Sequence, residues 1–178
     1  IAGGLERLTF DLQTQPSMLA LDPDDANTFA RRLHRLKNTR YEDLVAAGDI
    51  KLRPGVRELM DDCTAAGVRM AVVTTTSRGN VAALLEANLG AQWRKRFATV
   101  VAAEDAPRKK PDPQAYLEAL ERLGLQGREV VAMEDSPAGL ESAQAAGIRS
   151  VVIARSRFFE DAPVPGALAV GPSLGVAH

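Results

Sequence analysis

Hydrophobic positions in the first 50 residues repeat at helical spacing. Leu5, Leu8 and Leu12 share one face of a first predicted helix, and a proline-containing segment at 15–17 is expected to interrupt it. A second predicted helix begins at Asp22, whose carboxylate can cap its first turn. It carries an apolar stripe formed by Phe29, Leu33, Leu36, Leu44 and Val45. Basic residues fill much of its other side, as is typical of a solvated face. Residues 1–50 are therefore predicted to be wholly helical.

The pattern changes after residue 50. A linker with a turn is predicted at 51–55, followed by a helix that is stopped by Gly67. From there, short apolar runs alternate with helical stripes. Buried strands are predicted at 70–73, 97–101, 129–133 and 148–153, with an edge strand at 167–170. Strands that alternate with helices at these lengths favour an α/β fold with a parallel sheet covered on both faces.

Length, charge and cysteine content limit the size of the protein and the kinds of partner it is expected to have. A chain of 178 residues can hold one well-packed core and a small accessory unit. With 22 basic and 23 acidic side chains the net charge is −1, which favours neither nucleic acid nor an anionic membrane surface as a partner. The single cysteine, Cys63, is compatible with a reducing cytosol, so a cytoplasmic location is expected. The chain contains no apolar run of the roughly 20 residues that a membrane-spanning helix needs.

Two adjacent carboxylates, Glu134 and Asp135, stand where the predicted strand 129–133 ends. Open α/β sheets place their chemistry at the carboxyl ends of parallel strands. Hard oxygen ligands suit Mg²⁺, which usually takes only one or two protein carboxylates. The next two residues can begin a helix, with Ser136 as its cap. An acidic helix N-terminus favoured by the helix dipole would give the same pattern, so both interpretations stand at this point.

Two further segments carry candidate chemistry. Four hydroxyl residues, 74–77, follow the strand predicted at 70–73, and the start of the next helix adds free backbone N–H groups. Such a loop can bind an anion, although helix capping alone would need one of the four hydroxyls. The second segment is a basic loop, 108–113, in which Pro111 and Pro113 place Lys110 at a defined position. A lysine there could neutralise a transferring phosphoryl group, or the loop could simply be solvated. Together with the carboxylate pair, these segments predict phosphoryl transfer at one edge of the sheet.

The order of three motifs resembles the haloacid dehalogenase superfamily, and within it the CbbY-like and β-phosphoglucomutase-like sugar-phosphate branch. These motifs are Val73-Thr74-Thr75-Thr76-Ser77, Lys110-Pro111-x-Pro113 and Glu134-Asp135-Ser136-x-x-Gly139. The resemblance implies a Rossmann-like parallel sheet with an α-helical cap inserted after the first strand. Residues 1–50 would then be the later part of the cap, and 51–178 the core.

The resemblance also implies roles for individual residues. Thr74 and Lys110 would hold the transferring phosphoryl group, while Glu134 and Asp135 would bind Mg²⁺ directly or through water. The remaining expected contacts to phosphate or sugar are Thr75, Thr76, Ser77, Asn80, Ser136 and the cap residue Arg7. The expected partner is a phosphorylated sugar, and a complete protein of this kind is expected to be a monomer.

The sequence departs from the family pattern at its first motif. No Asp-x-Asp-Gly-Thr stretch, which would supply the nucleophile and the general acid/base, is found in the 178 residues. The acidic segment 22–25 is no substitute, because it lies between predicted cap helices and no Gly-Thr follows it. The chain thus resembles a truncated member without its first strand and the front of its cap. Leu5 stands where the cap motif often has lysine, and Gln114 where an acidic residue is common.

Three hypotheses follow from these motifs. The favoured one is a Mg²⁺-dependent sugar-phosphate phosphatase that acts through an aspartyl-phosphate, with its nucleophile outside this chain. The second is a phosphomutase, which would return the phosphoryl group to another hydroxyl of the sugar; the threonine-rich loop favours the phosphatase over it. The third, from a different class, is a non-catalytic phosphate-binding remnant, and the absence of the first motif is its support.

Overall fold

The computed structural model describes residues 4–14, 22–156 and 164–174. The helices in these ranges are α1 (Gly4–Thr14), α2 (Pro23–Ala46), α3 (Val56–Ala65), α4 (Arg78–Leu89), α5 (Gln114–Leu123) and α6 (Pro137–Ala145). The strands are β1 (Ala71–Val73), β2 (Thr99–Val101), β3 (Val131–Glu134), β4 (Ser150–Ala154) and β5 (Ala169–Gly171). Short 3₁₀ turns lie at Trp93–Arg96 and Gly127–Glu129. None of the described helices combines the length and the apolarity needed to cross a membrane.

The predicted alternation of strands and helices is confirmed, with small shifts at the ends of elements. β3 extends through Glu134, so this carboxylate belongs to the strand rather than following it. Asp22 caps α2 as predicted, because its carboxylate accepts hydrogen bonds from the backbone N–H groups of Asp24 and Asp25, both at 2.9 Å. The predicted break at 15–17 lies outside the described residues.

The N-terminal helices form a small unit beside the α/β part. α1 packs on α2, and α2 packs on α4. The linker that follows α2 is fastened to α4 by the amide of Asn88. The carboxamide oxygen of Asn88 accepts the N–H of Leu52 at 3.1 Å, and its nitrogen donates to the carbonyl of Ile50 at 3.1 Å. The Asn88 carboxamide therefore holds the linker between the helical unit and the core against α4.

All strand pairs are parallel, but the strands form two separate sheets. β1 pairs with β2, from Ala71 opposite Thr99 to Val73 opposite Val101. β4 lies between β3 and β5 in the other sheet. Among the described residues, no ladder of backbone hydrogen bonds joins β1 to β3. β1 and β3 consequently each have one edge without a paired strand among the described residues.

Helix α5 packs against both sheets and bridges the break. Its Ala115 and Ala119 join a buried cluster with Val101 at the end of β2. The next residues around the helix, Tyr116 and Leu120, pack instead into the cluster of the three-stranded sheet, together with Ala132, Leu140, Val151 and Ile153. Helical periodicity thus lets one element present two adjacent apolar faces to two sheets.

The prediction that the run at 129–133 is buried on both faces is wrong for one face. Ala132 and Glu134 point into the core, whereas Val131 is 57% and Met133 42% exposed. Parallel strands usually have both faces covered, so this face of β3 departs from the usual pattern within the described residues. β1 was also predicted to be buried, but its three residues are only half-buried.

Asp105 fixes the loop after β2. Its carboxylate accepts the backbone N–H of Ala102 at 2.8 Å and pairs with Arg122 of α5 at 2.9 Å and with Arg78 of α4 at 2.7 Å. The Ala102 N–H first, and then the two guanidinium groups, lower the pKa of Asp105 from 3.8 to about 2. This network stabilises the folded state above pH 3.8, and the contribution is lost as the pH falls towards 2.

Candidate active site

The carboxyl ends of β1 and β3 border a cleft of about 370 Å³. This cleft is lined by six of the predicted site residues, Thr74, Thr75, Lys110, Glu134, Asp135 and Ser136. They come from three separate segments of the sequence. The parallel arrangement brings them together, since it places the carboxyl ends of the strands at one edge.

Lys110 and Glu134 form a nearly buried ion pair at the cleft floor. The lysine Nζ lies 2.6 Å from Oε1 of Glu134, and the two side chains are 10% and 7% exposed. The same Nζ donates to the carbonyl of Val73, the last residue of β1, at 3.0 Å. Lys110 thereby connects the ends of β1 and β3 across the break between the sheets. Removing one partner of such a pair would leave an uncompensated buried charge.

Tyr116 is a third member of this cluster and was missed as a site residue. The helical spacing of Tyr116, Leu120 and Leu123 in the sequence indicates only that this residue faces the core. In the structure its hydroxyl donates to Oε1 of Glu134 at 2.5 Å, and its ring centroid lies 4.8 Å from Nζ of Lys110. Burial, and then the negative charge of Glu134, raise the pKa of the Tyr116 hydroxyl well above its usual range. The one available signal was that a buried tyrosine hydroxyl usually needs a polar partner.

Gly139 is required by the position of Glu134. A Cβ atom at this residue of α6 would lie 1.8 Å from Oε2 and 2.2 Å from the carboxyl carbon of Glu134. This carboxylate cannot move away freely, because Lys110 and Tyr116 hold its other oxygen. The glycine of the third motif therefore makes room for the carboxylate that precedes it.

Gly139→Ala is expected to destabilise the protein by about 1–3 kcal/mol, the usual cost of overpacking a core. Gly79→Ala is a matched control, since a Cβ there meets no atom within 4 Å and Gly79 lies in helix α4. That change should be neutral or stabilise by up to about 1 kcal/mol, because alanine favours the helix. Chemical unfolding of both variants measures the difference. If Gly139→Ala and Gly79→Ala were equally stable, the inferred close approach of Gly139 to the Glu134 carboxylate would be contradicted.

Asp135 differs from its neighbour in exposure. Its side chain is exposed and borders the cleft, whereas Glu134 is buried. The backbone carbonyl of Asp135 accepts a hydrogen bond from the hydroxyl of Ser156 at 2.5 Å, which links the end of β3 to the segment after β4. Successive side chains of a strand point to opposite sides, so the two carboxylates face different surroundings. Asp135 is therefore the carboxylate that remains accessible to a ligand.

The hydroxyl loop divides into two parts. Thr74 and Thr75 line the cleft. Ser77 caps α4 and accepts the backbone N–H of Asn80 at 3.3 Å, while the buried Asn80 amide donates to Oγ1 of Thr76 at 3.3 Å. The last two hydroxyls therefore shape the start of the helix. A contact of Thr76, Ser77 or Asn80 with phosphate stays a prediction.

Ser136 and Arg7 complete the predicted set. Ser136 borders the cleft and also caps α6, because its Oγ accepts the backbone N–H of Gly139 at 3.2 Å. Arg7 lies exposed on α1, in the helical unit, and does not border the cleft formed by the described residues. Its role in binding sugar stays a prediction.

Arg53 lines the cleft and was not singled out by the sequence. Its guanidinium donates to the carbonyls of Ala154 at 3.0 Å, Arg155, and Pro172 at 3.1 Å. Ala154 is the last residue of β4, and Arg155 and Pro172 directly follow β4 and β5. Arg53 thus connects the linker to the carboxyl ends of these two strands. The acceptors are backbone groups distant in sequence, and no local pattern could have revealed them.

The cleft offers oxygen ligands that fit Mg²⁺. The exposed carboxylate of Asp135 lines the same cleft as Thr74 and Thr75. Within the described ranges, no group of three or more His, Cys, Asp or Glu side chains is arranged around a common point. Mg²⁺ does not require such a cage, because it commonly uses one or two carboxylates, the substrate phosphate and water. Asp135 is the residue that would hold the ion.

The comparisons with known proteins agree with this arrangement. A family model described as haloacid dehalogenase-like hydrolase matches residues 5–147. The CbbY protein of a Cupriavidus necator plasmid is 41% identical, over 98% of this chain and 68% of its own length. CbbY of Rhodobacter capsulatus, also 41% identical, is matched over 63% of its length. The chain thus spans about two thirds of these curated relatives.

A solved structure of CbbY from Rhodobacter sphaeroides, in complex with phosphate, superimposes with a TM-score of 0.81 at 34% identity. The match covers 98% of this chain and 74% of that one. A second structure of a variant of that protein, in complex with xylulose-(1,5)-bisphosphate, gives a TM-score of 0.80, also at 34% identity, over 97% of this chain and 73% of that one. Fold, motif positions and sequence similarity together place this chain in the haloacid dehalogenase-like hydrolase family.

Proposed function

We propose that this chain forms the larger part of a Mg²⁺-dependent phosphatase for phosphorylated sugars, including sugar bisphosphates. The observation that carries the proposal is the cleft itself, in which the ammonium of Lys110, the hydroxyl of Thr74 and the exposed carboxylate of Asp135 meet at one sheet edge. A similar protein is described as a phosphorylated carbohydrates phosphatase; this Thermotoga maritima relative is 32% identical over 72% of the chain. The xylulose bisphosphate complex of a CbbY variant supports the same class of substrate.

We further propose that a segment outside this chain supplies the nucleophilic aspartate on a strand between β1 and β3. Three observations support this placement. The two strands share no ladder, Val131 and Met133 of β3 are open, and the curated relatives are about half as long again as the matched chain. Residues 1–50 would then complete a helical cap, and 51–178 the core.

The reaction would begin with attack of the aspartate oxygen on phosphorus. The new O–P bond forms while the bond between phosphorus and the sugar oxygen breaks, and the sugar oxygen takes up a proton from the second aspartate of the Asp-x-Asp-Gly-Thr motif, which the same outside segment would supply. Water then gives a proton to that aspartate and attacks phosphorus, the bond between phosphorus and the nucleophilic aspartate breaks, and inorganic phosphate leaves. Lys110 and Thr74 would hold the phosphoryl oxygens throughout, and Mg²⁺ held by Asp135 would offset their charge.

The test is to express the complete protein, including the segment that precedes Ile1, and to measure phosphate release from a panel of sugar mono- and bisphosphates. Turnover should require Mg²⁺ and should be lost on addition of EDTA. Inorganic phosphate as product identifies a phosphatase, whereas an isomeric sugar phosphate would reassign the protein as a phosphomutase. A complete protein that only binds sugar phosphates, without turnover, would refute the enzyme and leave the binding role.

A further inference from the structure

Glu134 receives two donors on one oxygen. Nζ of Lys110 and the hydroxyl of Tyr116 approach Oε1 at 2.6 Å and 2.5 Å. A phenol beside a carboxylate must be the donor, since the ionised carboxylate has no hydrogen to give. Tyr116 is buried, with only 6% of its surface exposed. A buried carboxylate is thus compensated by one charged and one neutral partner.

The donors of Lys110 are limited. An ammonium group has three N–H donors. Within the described residues, two of them are directed to Oε1 of Glu134 and to the carbonyl of Val73. These contacts leave the third donor for a ligand in the cleft that Lys110 lines. If Tyr116 did not share Oε1, the buried carboxylate would depend on the lysine alone, and a phosphate would compete with Glu134 for the same ammonium.

We propose that Tyr116 is a positioning residue of the cleft, whose hydroxyl holds Glu134 in place so that Lys110 keeps a donor directed at a bound phosphate. The inference rests on the proposed function, because it assigns Lys110 to a phosphoryl group. Tyr116 itself need not touch the ligand, since it acts through Glu134.

Tyr116→Phe isolates the hydroxyl, because the ring that lies 4.8 Å from Nζ of Lys110 is retained. Tyr41→Phe is the matched control, as the same atom is removed from the other tyrosine of the chain, on α2. Binding of inorganic phosphate to the complete protein is measured by calorimetry in the presence of MgCl₂. Tyr116→Phe should raise the Kd about tenfold, in keeping with the loss of one hydrogen bond to a charged group. Tyr41→Phe should leave the Kd unchanged. Equal affinities of the parent and Tyr116→Phe would overturn the inference.

A double-mutant cycle separates this inference from the proposed function. The midpoint of chemical unfolding is measured for Tyr116→Phe, Glu134→Gln and the double variant. Tyr116→Phe should lower the midpoint clearly in the parent and much less in the Glu134→Gln background. Additive shifts would show that the hydroxyl does not act through Glu134 and would overturn the inference. A parent chain that binds no phosphate, but shows this coupling, would refute the proposed phosphate site while supporting the contact that positions Glu134.

Discussion

Lys110→Ala is expected to slow phosphate release by the complete protein by on the order of 10²-fold or more. The ammonium is nearly buried, touches Glu134 and Val73, and borders the cleft, so its charge acts on a bound ligand with little screening by water. The substitution also leaves the Glu134 carboxylate without its ionic partner. Steady-state kinetics of the complete protein provide the measurement, with chemical unfolding run in parallel.

The neighbouring lysine is the control. Nζ of Lys109 donates to the carbonyl of Ala103 at 3.3 Å, and Lys109 does not border the cleft in the described structure. Lys109→Ala should therefore change turnover only slightly. Lys110→Met retains the apolar stem of the lysine. It should therefore be more stable than Lys110→Ala but lose activity to the same extent. Equal losses at both lysines, or activity restored by methionine, would contradict the assignment of Lys110 to the phosphoryl group.

Asp135→Asn should remove at least about 99% of the Mg²⁺-dependent turnover, because a neutral amide cannot replace the charge of a carboxylate ligand. The fold should tolerate the change, since the side chain is exposed and substitutions at such sites usually alter stability by less than about 0.5 kcal/mol. Part of the lost activity should return at higher Mg²⁺ concentration. The measurement is turnover of the complete protein as a function of MgCl₂.

Asp49→Asn makes the same chemical change at an exposed carboxylate just before the linker, outside the cleft. It should leave both turnover and its dependence on Mg²⁺ unchanged. If Asp135→Asn retained full activity at the same Mg²⁺ concentration, Asp135 could not be the residue that holds the ion.

The residues whose roles are local could be predicted from the sequence. Ser77 and Ser136 cap α4 and α6 through bonds to residues three positions on, and hydroxyl residues followed by helical patterns indicate such caps. The alternation of apolar runs and helical stripes likewise predicts a parallel sheet. The order of the motifs then places Lys110 and the carboxylate pair at one edge, because parallel strands have their carboxyl ends on the same side.

Only the tertiary structure distinguishes the surroundings of Glu134 from those of Asp135. The sequence gives two equivalent acids, and both were expected to bind the metal. The folded chain buries Glu134 between Lys110 and Tyr116 and leaves Asp135 open to the cleft. Tyr116 belongs to α5, 18 residues before Glu134, and only the packing of that helix across both sheets makes it part of the site.

Burial was the other property that the apolar pattern could not decide. The run that contains Val131 and Met133 has the composition of a strand covered on both faces, yet these two side chains are open. A hydrophobic residue favours burial, but whether it is buried depends on which elements pack against it. The sequence by itself determined which segments become strands and helices, since that depends on neighbours along the chain. The tertiary structure alone decided which strand edges are paired, which carboxylate is enclosed and which tyrosine holds it, because those contacts join residues far apart in sequence.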